Sequence, residues 1–169
     1  LNILKEEIKK RNLNINIYLG NEIFYNNNTD THIKEGNIYP LNNTRCILIE
    51  LPLNNEIVHL EDRLYELTIK NYIPVIAHPE RYTYFQKDYK LVDKLKQEGI
   101  LFQSNYLSIL GSYGRGAKKL IKYMLKKKYI DFLATDIHRL DNTKVIDKFS
   151  KIEHKIISIT KEEYYNLKF

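Results

Sequence analysis

The chain has 169 residues, 43% of them hydrophobic, and a formal net charge of +6. That suffices for one core, yet no segment is long enough to cross a bilayer, and no charged–apolar–small leader opens the sequence. The single cysteine, Cys46, excludes an internal disulfide framework and makes a reducing cytoplasm the default location.

Leu1, Ile3, Leu4 and Ile8 are spaced for one helical face, so a helix is predicted over 1–11. The chain starts at Leu1 and enters this helix directly, which reads as the interior of a longer protein. Residues 15–19 alternate and predict a strand that delivers Glu22 at its end. Residues 26–37 are polar and turn-rich, with room for a short helix near Thr31. A strand over 44–51 contains Cys46 in a small apolar role. No Cys-x5-Arg phosphate cradle follows it, so a thiol mechanism is unsupported. Helical spacing over 56–71 runs through Ile57, Leu60, Leu64 and Leu67. The apolar run 73–77 is a strand ending at His78-Pro79. A helix over 89–98 is stopped by Gly99, and a strand follows over 100–103. A glycine-rich loop over 111–116 enters a helix over 117–128, and a strand occupies 129–135. Residues 143–152 read as helix and 156–159 as a last strand. Thr160-Lys161-Glu162-Glu163 reads as a capping box opening a final helix. Strands and helices alternating at roughly 25 to 30 residues per unit predict an α/β fold with parallel strands and right-handed crossovers, as a TIM-like barrel or an open sheet.

Acid or imidazole groups stand at three strand ends. Thr135-Asp136-Ile137-His138-Arg139 places Asp136 and His138 two residues apart, on one side of an extended segment. His78 follows 73–77, and Glu22 follows 15–19. In parallel barrels the C-terminal rim carries the chemistry, so this placement favours the barrel. Carboxylate and imidazole aimed at one spot suit a divalent cation, and ligation without thiolate is compatible with manganese, iron or zinc. Blander readings suit the remainder. Glu80 reads as solvated or else as an acid orienting a ligand, Tyr82 and Tyr84 as packing before stacking on a substrate ring, His59 and His154 as non-ligands, and 111–116 as a structural turn before a substrate contact, since it lacks the Lys-Thr end of a nucleotide loop. The lysines are spread over helices apart from Lys126-Lys127-Lys128. Without a basic-aromatic motif of the RNA-recognition kind, the charge reads as solvated surface with a modest preference for acidic or phosphorylated partners, not nucleic acid.

Leu19-Gly20-Asn21-Glu22-Ile23, Ala77-His78-Pro79-Glu80-Arg81-Tyr82, Phe102-Gln103-Ser104-Asn105 with Gly111-Ser112-Tyr113-Gly114, and Phe132-Leu133-Ala134-Thr135-Asp136-Ile137-His138-Arg139 occur in this order. Together they resemble the capsule- and exopolysaccharide-associated protein-tyrosine phosphatases of the bacterial PHP (polymerase and histidinol phosphatase) superfamily, over nearly the whole chain. The resemblance implies a distorted, seven-stranded TIM-like (β/α)7 barrel. Residues 1–169 would be a single, partial domain lacking its first strands, because the family's opening Asp-x-His-x-His motif is not in this sequence and His32 does not fit it. It implies a multinuclear metal centre, often manganese, with Glu22, His78, Asp136 and His138 as ligands converging on one rim. Arg81 and Arg139 would bind phosphate, though many family members carry Asn at the position of Arg139. The implied substrate is phosphotyrosine on a bacterial tyrosine kinase that regulates polysaccharide assembly, and oligomers are allowed. Two alternatives stand beside it: a phosphatase of a small phosphomonoester, and a catalytically incompetent fragment or binding module. A weakly active, self-associating 169-residue piece is also expected.

Overall fold

Five short apolar segments become strands in the computed structural model, which describes residues 1–26, 28–138 and 147–160. They are β1 (Glu22–Phe24), β2 (Cys46–Glu50), β3 (Ile73–Ala77), β4 (Leu101–Asn105) and β5 (Phe132–Ala134). Among the described residues they form one sheet in the order β1-β2-β3-β4-β5, with every neighbouring pair parallel. Parallel neighbours need long crossovers, and helices supply them. Helix α1 (Asn2–Lys10) precedes the sheet. The crossovers carry α2 (Thr29–Lys34), α3 (Leu60–Ile69), α4 (Thr83–Lys87) with α5 (Tyr89–Gln97), and α6 (Tyr106–Leu110) with α7 (Gly114–Lys127). Helix α8 (Phe149–Thr160) follows β5.

The register divides the sheet into two unlike faces. Ile49 pairs with Ile76 and Ile76 with Phe102, so these side chains share a face. All three are buried in one core cluster with Leu64, Leu67, Val92, Leu95, Leu120 and Met124 of the helices. On the other face Glu22 pairs with Leu48, Phe24 with Glu50, and Ala77 with Gln103. That face is more polar toward the strand ends and only partly covered: Leu48 and Glu50 are half-buried and Phe24 is exposed.

Two expected strands are absent. Residues 15–21 are irregular, because Asn42 N–H donates to Leu19 O at 3.2 Å and Asn21 N–H to Tyr39 O at 2.9 Å. These bonds tie the segment to the chain before β2 and not to a neighbouring strand, so Glu22 opens β1 instead of following a strand. Residues 156–159 lie inside α8, where Ile152 and Ile156 are one turn apart and both buried. The first part of the expected helix over 143–152, and the capping box after Thr160, lie outside the described residues. Helix α1 forms as expected but buries none of its residues.

The end of β3 is pinned by Tyr82. Its hydroxyl donates to Ala77 O at 2.8 Å and accepts from Leu51 N–H at 2.9 Å, wholly buried. One phenol therefore joins the ends of β2 and β3, and burial pushes it up from its ordinary pKa. Tyr82→Phe should strand two buried backbone groups and cost about 1–3 kcal/mol. A shift of the urea midpoint at unchanged slope checks this; an unchanged midpoint would remove the tyrosine from this role.

Candidate functional site

His78 leaves β3 in the left-handed region, at φ 33°. Non-glycine residues adopt that conformation rarely, and here neighbours impose it. The His78 N–H donates to Gln103 O at 2.6 Å, and the Tyr82 ring lies 5.5 Å from the imidazole. The side chain is almost wholly buried, so its position is set by the core. Its Nε2 lies 3.3 Å from Glu22 Oε1 and 3.5 Å from Glu50 Oε1. The three ligand atoms lie within 4.8 Å of one another.

This donor set fits a divalent cation. Two carboxylates sharing one small volume repel each other, and a single imidazole cannot compensate both. The set is nitrogen and oxygen only, which suits manganese, iron or zinc. The sequence reading missed Glu50. The available signal was the one used elsewhere, a carboxylate closing an apolar strand, in Cys46-Ile47-Leu48-Ile49-Glu50.

A second group lies toward the other end of the sheet. Asp136, just past β5, also has a left-handed backbone, at φ 53°. Its Oδ2 accepts from Asn105 Nδ2 at 2.8 Å and lies 3.5 Å from Arg81 Nη1. His138 is exposed. Its Nδ1 lies 3.0 Å from Asp136 O and 3.7 Å from Asp136 Oδ1. The Arg81 guanidinium sits over the Tyr113 ring, 4.7 Å from its centre. Burial and the Asp136 carboxylate push the Tyr113 phenol up.

The four expected ligands are thus found in two pairs. Glu22 and His78 meet, joined by Glu50, and Asp136 and His138 meet, joined by Arg81 and Asn105. Asp136 and His138 are not part of the Glu22–Glu50–His78 group. The pairs are linked through the turn after β3, which carries both His78 and Arg81. Arg139 lies outside the described residues. His59 stands beside Asp62 on α3, and His154 Nδ1 bonds Ser150 O, so neither joins either pair.

Glu80 is wholly buried, not solvated. Its Oε1 accepts from Asn105 N–H at 2.9 Å and from Ser108 Oγ at 2.5 Å. Gln103 Nε2 donates to Asn105 Oδ1 at 3.1 Å. Glu80 therefore fixes the end of β4 so that the Asn105 amide meets Asp136. Tyr82 and Tyr84 are buried and stacked on each other, 5.7 Å between ring centres, which is the packing role expected of them. The glycine-rich loop supplies a turn and, in Tyr113, the ring beneath Arg81.

The fold is that of the PHP-type phosphatases. A chain from the crystal structures of YwqE from Bacillus subtilis and CpsB from Streptococcus pneumoniae, described as unique metal-dependent tyrosine phosphatases, superposes with a TM-score of 0.76 at 24% identity, over 98% of this chain and 70% of that one. Residues 1–166 match the family profile "Capsular polysaccharide synthesis, CpsB/CapC", and the chain belongs to that family. It is similar to the CapC protein of Staphylococcus aureus, 36% identical over 143 residues, covering 84% of this chain and 56% of that protein. It is also similar to tyrosine-protein phosphatase YwqE of Bacillus subtilis, 29% identical over 137 residues, covering 81% and 54%. The chain thus spans about half the length of these relatives.

Two outcomes follow from this geometry. Glu50→Gln should weaken manganese binding by at least about 10–100-fold, the loss typical even of residues that only orient a ligand. Calorimetric titration checks this, and unchanged affinity would remove Glu50 from the centre. Burial raises the Glu80 pKa above its ordinary 4.5, against the lowering pull of its hydrogen bonds from Ser108 and Asn105. Its neutral form is therefore the stabilising one, fully so below that value, and the contribution is lost as pH rises through the raised value. Glu80→Gln stays neutral, so its stability relative to the parent should grow with pH, as read from urea midpoints across the acid-to-neutral range.

Proposed function

We propose that this protein is a metal-dependent protein-tyrosine phosphatase that hydrolyses phosphotyrosine on a bacterial tyrosine kinase regulating capsule or exopolysaccharide synthesis. One observation carries this reading: the single turn after β3 carries both His78, which meets Glu22 and Glu50, and Arg81, which meets Asp136. Family membership and the names of the relatives support it. The protein is read as cytoplasmic, on its single cysteine; no described helix is long and apolar enough to cross a membrane.

Glu22, Glu50 and His78 would hold the ion, preferably manganese, with Asp136 and His138 contributing from the end of β5. When bound, such an ion activates water and neutralises charge on the phosphoryl oxygens. Arg81 offers a planar fork of donors that matches two phosphate oxygens. The Tyr113 ring on one side and Asp136 on the other hold that fork in place. Asn105 keeps the Asp136 carboxylate turned toward Arg81. Tyr113 is half-buried beside Arg81, so an aromatic ring is on hand for the phenyl group of the substrate. Arg139 is a second phosphate donor in this proposal, on sequence grounds alone. Cys46 is half-buried within β2, so a thiol nucleophile has no support.

The test uses the full-length protein with phosphotyrosine peptides and with sugar phosphates. Turnover should favour the peptides, vanish with chelator and return with manganese. Arg81→Ala should retain metal while its kcat/KM falls roughly 10–100-fold, the scale of a lost charge-assisted hydrogen bond. Preferred turnover of sugar phosphates would move the assignment to a small phosphomonoester. Chelator-resistant turnover that depends on Cys46 would end the metal reading.

A further inference from the structure

We propose that the outer face of α7 is a docking track for acidic side chains flanking the phosphotyrosine of a protein substrate, an inference that rests on the phosphatase assignment above. Helix α7 has the sequence Gly-Arg-Gly-Ala-Lys-Lys-Leu-Ile-Lys-Tyr-Met-Leu-Lys-Lys, with no acidic residue. Ala117, Leu120, Ile121, Met124 and Leu125 form its buried face. Arg115, Lys119, Lys122 and Lys126 follow at intervals of four, three and four residues. At 100° per residue these cations fall within a band about 60° wide, directly opposite the buried face. At 1.5 Å per residue the band is about 16 Å long.

Arg115, Lys119, Lys122 and Lys126 have no ion-pair partner among the described residues, whereas helix lysines elsewhere do: Lys94 pairs with Glu61, and Lys96 with Asp131 at 2.5 Å. Like charges at these spacings weaken a helix. The buried face of α7 holds it together in spite of them, and among the described residues no ion pair uses these cations.

Their position relative to the site suggests the use. Tyr113, the residue before α7, lies under the Arg81 guanidinium. Helix α7 therefore begins one residue past the ring that touches the candidate phosphate donor, and the file of cations runs away from that end. An extended peptide advances about 3.3 Å per residue, so some five residues would lie along it. The file is one cation wide, which matches a single strand of peptide better than the broad cationic surface that a bilayer engages. Lys127, off the file, lies over the Tyr123 ring. Carboxylates on the substrate would meet the file in partly solvated pairs, each weak, whose sum sets a preference among substrates.

The experiment measures binding, independently of turnover. Peptides carrying a non-hydrolysable phosphotyrosine analogue, with acidic, neutral or lysine flanks, are titrated into full-length protein and followed by fluorescence anisotropy. The parent protein should bind the acid-flanked peptide about tenfold more tightly than the neutral one, with the margin shrinking as salt rises. The K119E/K122E/K126E variant should lose that margin and gain affinity for the lysine-flanked peptide. Equal affinity for acidic and neutral flanks in the parent, or a margin that survives in the variant, would overturn the track. So would loss of binding only to mixed phosphatidylglycerol–phosphatidylcholine vesicles, which would assign this face to a membrane. Turnover of a small aryl phosphate, too short to reach the file, is read separately. Its absence would sink the phosphatase assignment while the flank preference still decides the track.

Discussion

Two carboxylates face a single buried imidazole nitrogen, and much of the structure around the site follows from holding them there. Glu22 and Glu50 come from neighbouring strands, and both must lie on the less covered face of the sheet. The register Glu22–Leu48 and Phe24–Glu50 achieves this. A slip of one residue in β1 would send Glu22 into the face that packs under the helices, where an ionised carboxylate is costly. His78 approaches from the third strand, and its left-handed backbone turns the imidazole back toward both acids. That conformation is unfavourable locally and is sustained by the Tyr82 hydroxyl and the aromatic cluster of Tyr82, Tyr84 and Phe85 behind it.

The second half of the site depends on a buried polar network. Glu80, Gln103, Asn105 and Ser108 are all sequestered from solvent, and each makes a hydrogen bond within the group. Networks of this kind rigidify when their members are satisfied and destabilise when one is removed. Here the consequence is directional. The last rigid member, the Asn105 amide, is what the Asp136 carboxylate meets. Asp136 in turn faces Arg81, which leaves the same turn that begins with His78. Arg81 thus stands between a carboxylate fixed by β4 and an aromatic ring fixed by the loop before α7.

Much of the architecture was legible in the sequence because parallel strands buried beneath helices read as short, continuous apolar runs; β2, β3 and β5 have that form, and β4 begins with it before turning polar at Gln103. His78 and Asp136 were legible because they interrupt such runs at their ends. Glu50 satisfies the same rule, since it closes the apolar run Cys46-Ile47-Leu48-Ile49. Residues 15–19 misled because their alternation is a local pattern, while strand formation needs a neighbour; the chain there bonds to residues 39–42. Residues 156–159 misled because four apolar-rich positions fit either period, and burial at Ile152 and Ile156 decided for helix. Glu80 was opaque in principle. A glutamate between Pro79 and Arg81 carries no mark of burial, and its acceptance of hydrogen bonds from Asn105 and Ser108 is a contact across 25 and 28 residues.

The two faces of the sheet divide the labour of the protein. The helix-packed face holds Ile49, Ile76 and Phe102, whose burial favours folding and touches no reacting group. The opposite face holds Glu22, Glu50, Gln103 and Asn105, groups that cost free energy to gather and that a fold selected for stability alone would replace with apolar residues. Substitutions should therefore sort by strand parity: one residue along β2, from Ile49 to Glu50, moves an effect from stability to metal affinity. The sorting fails where one side chain serves both faces, and Tyr82 is that place, since it packs in the core while fixing the strand end from which His78 departs. A change there is expected to lower stability and loosen the imidazole together. That makes Tyr82 unsuitable for separating fold from function, and leaves Glu50 and Arg81 as the positions where function can be read alone.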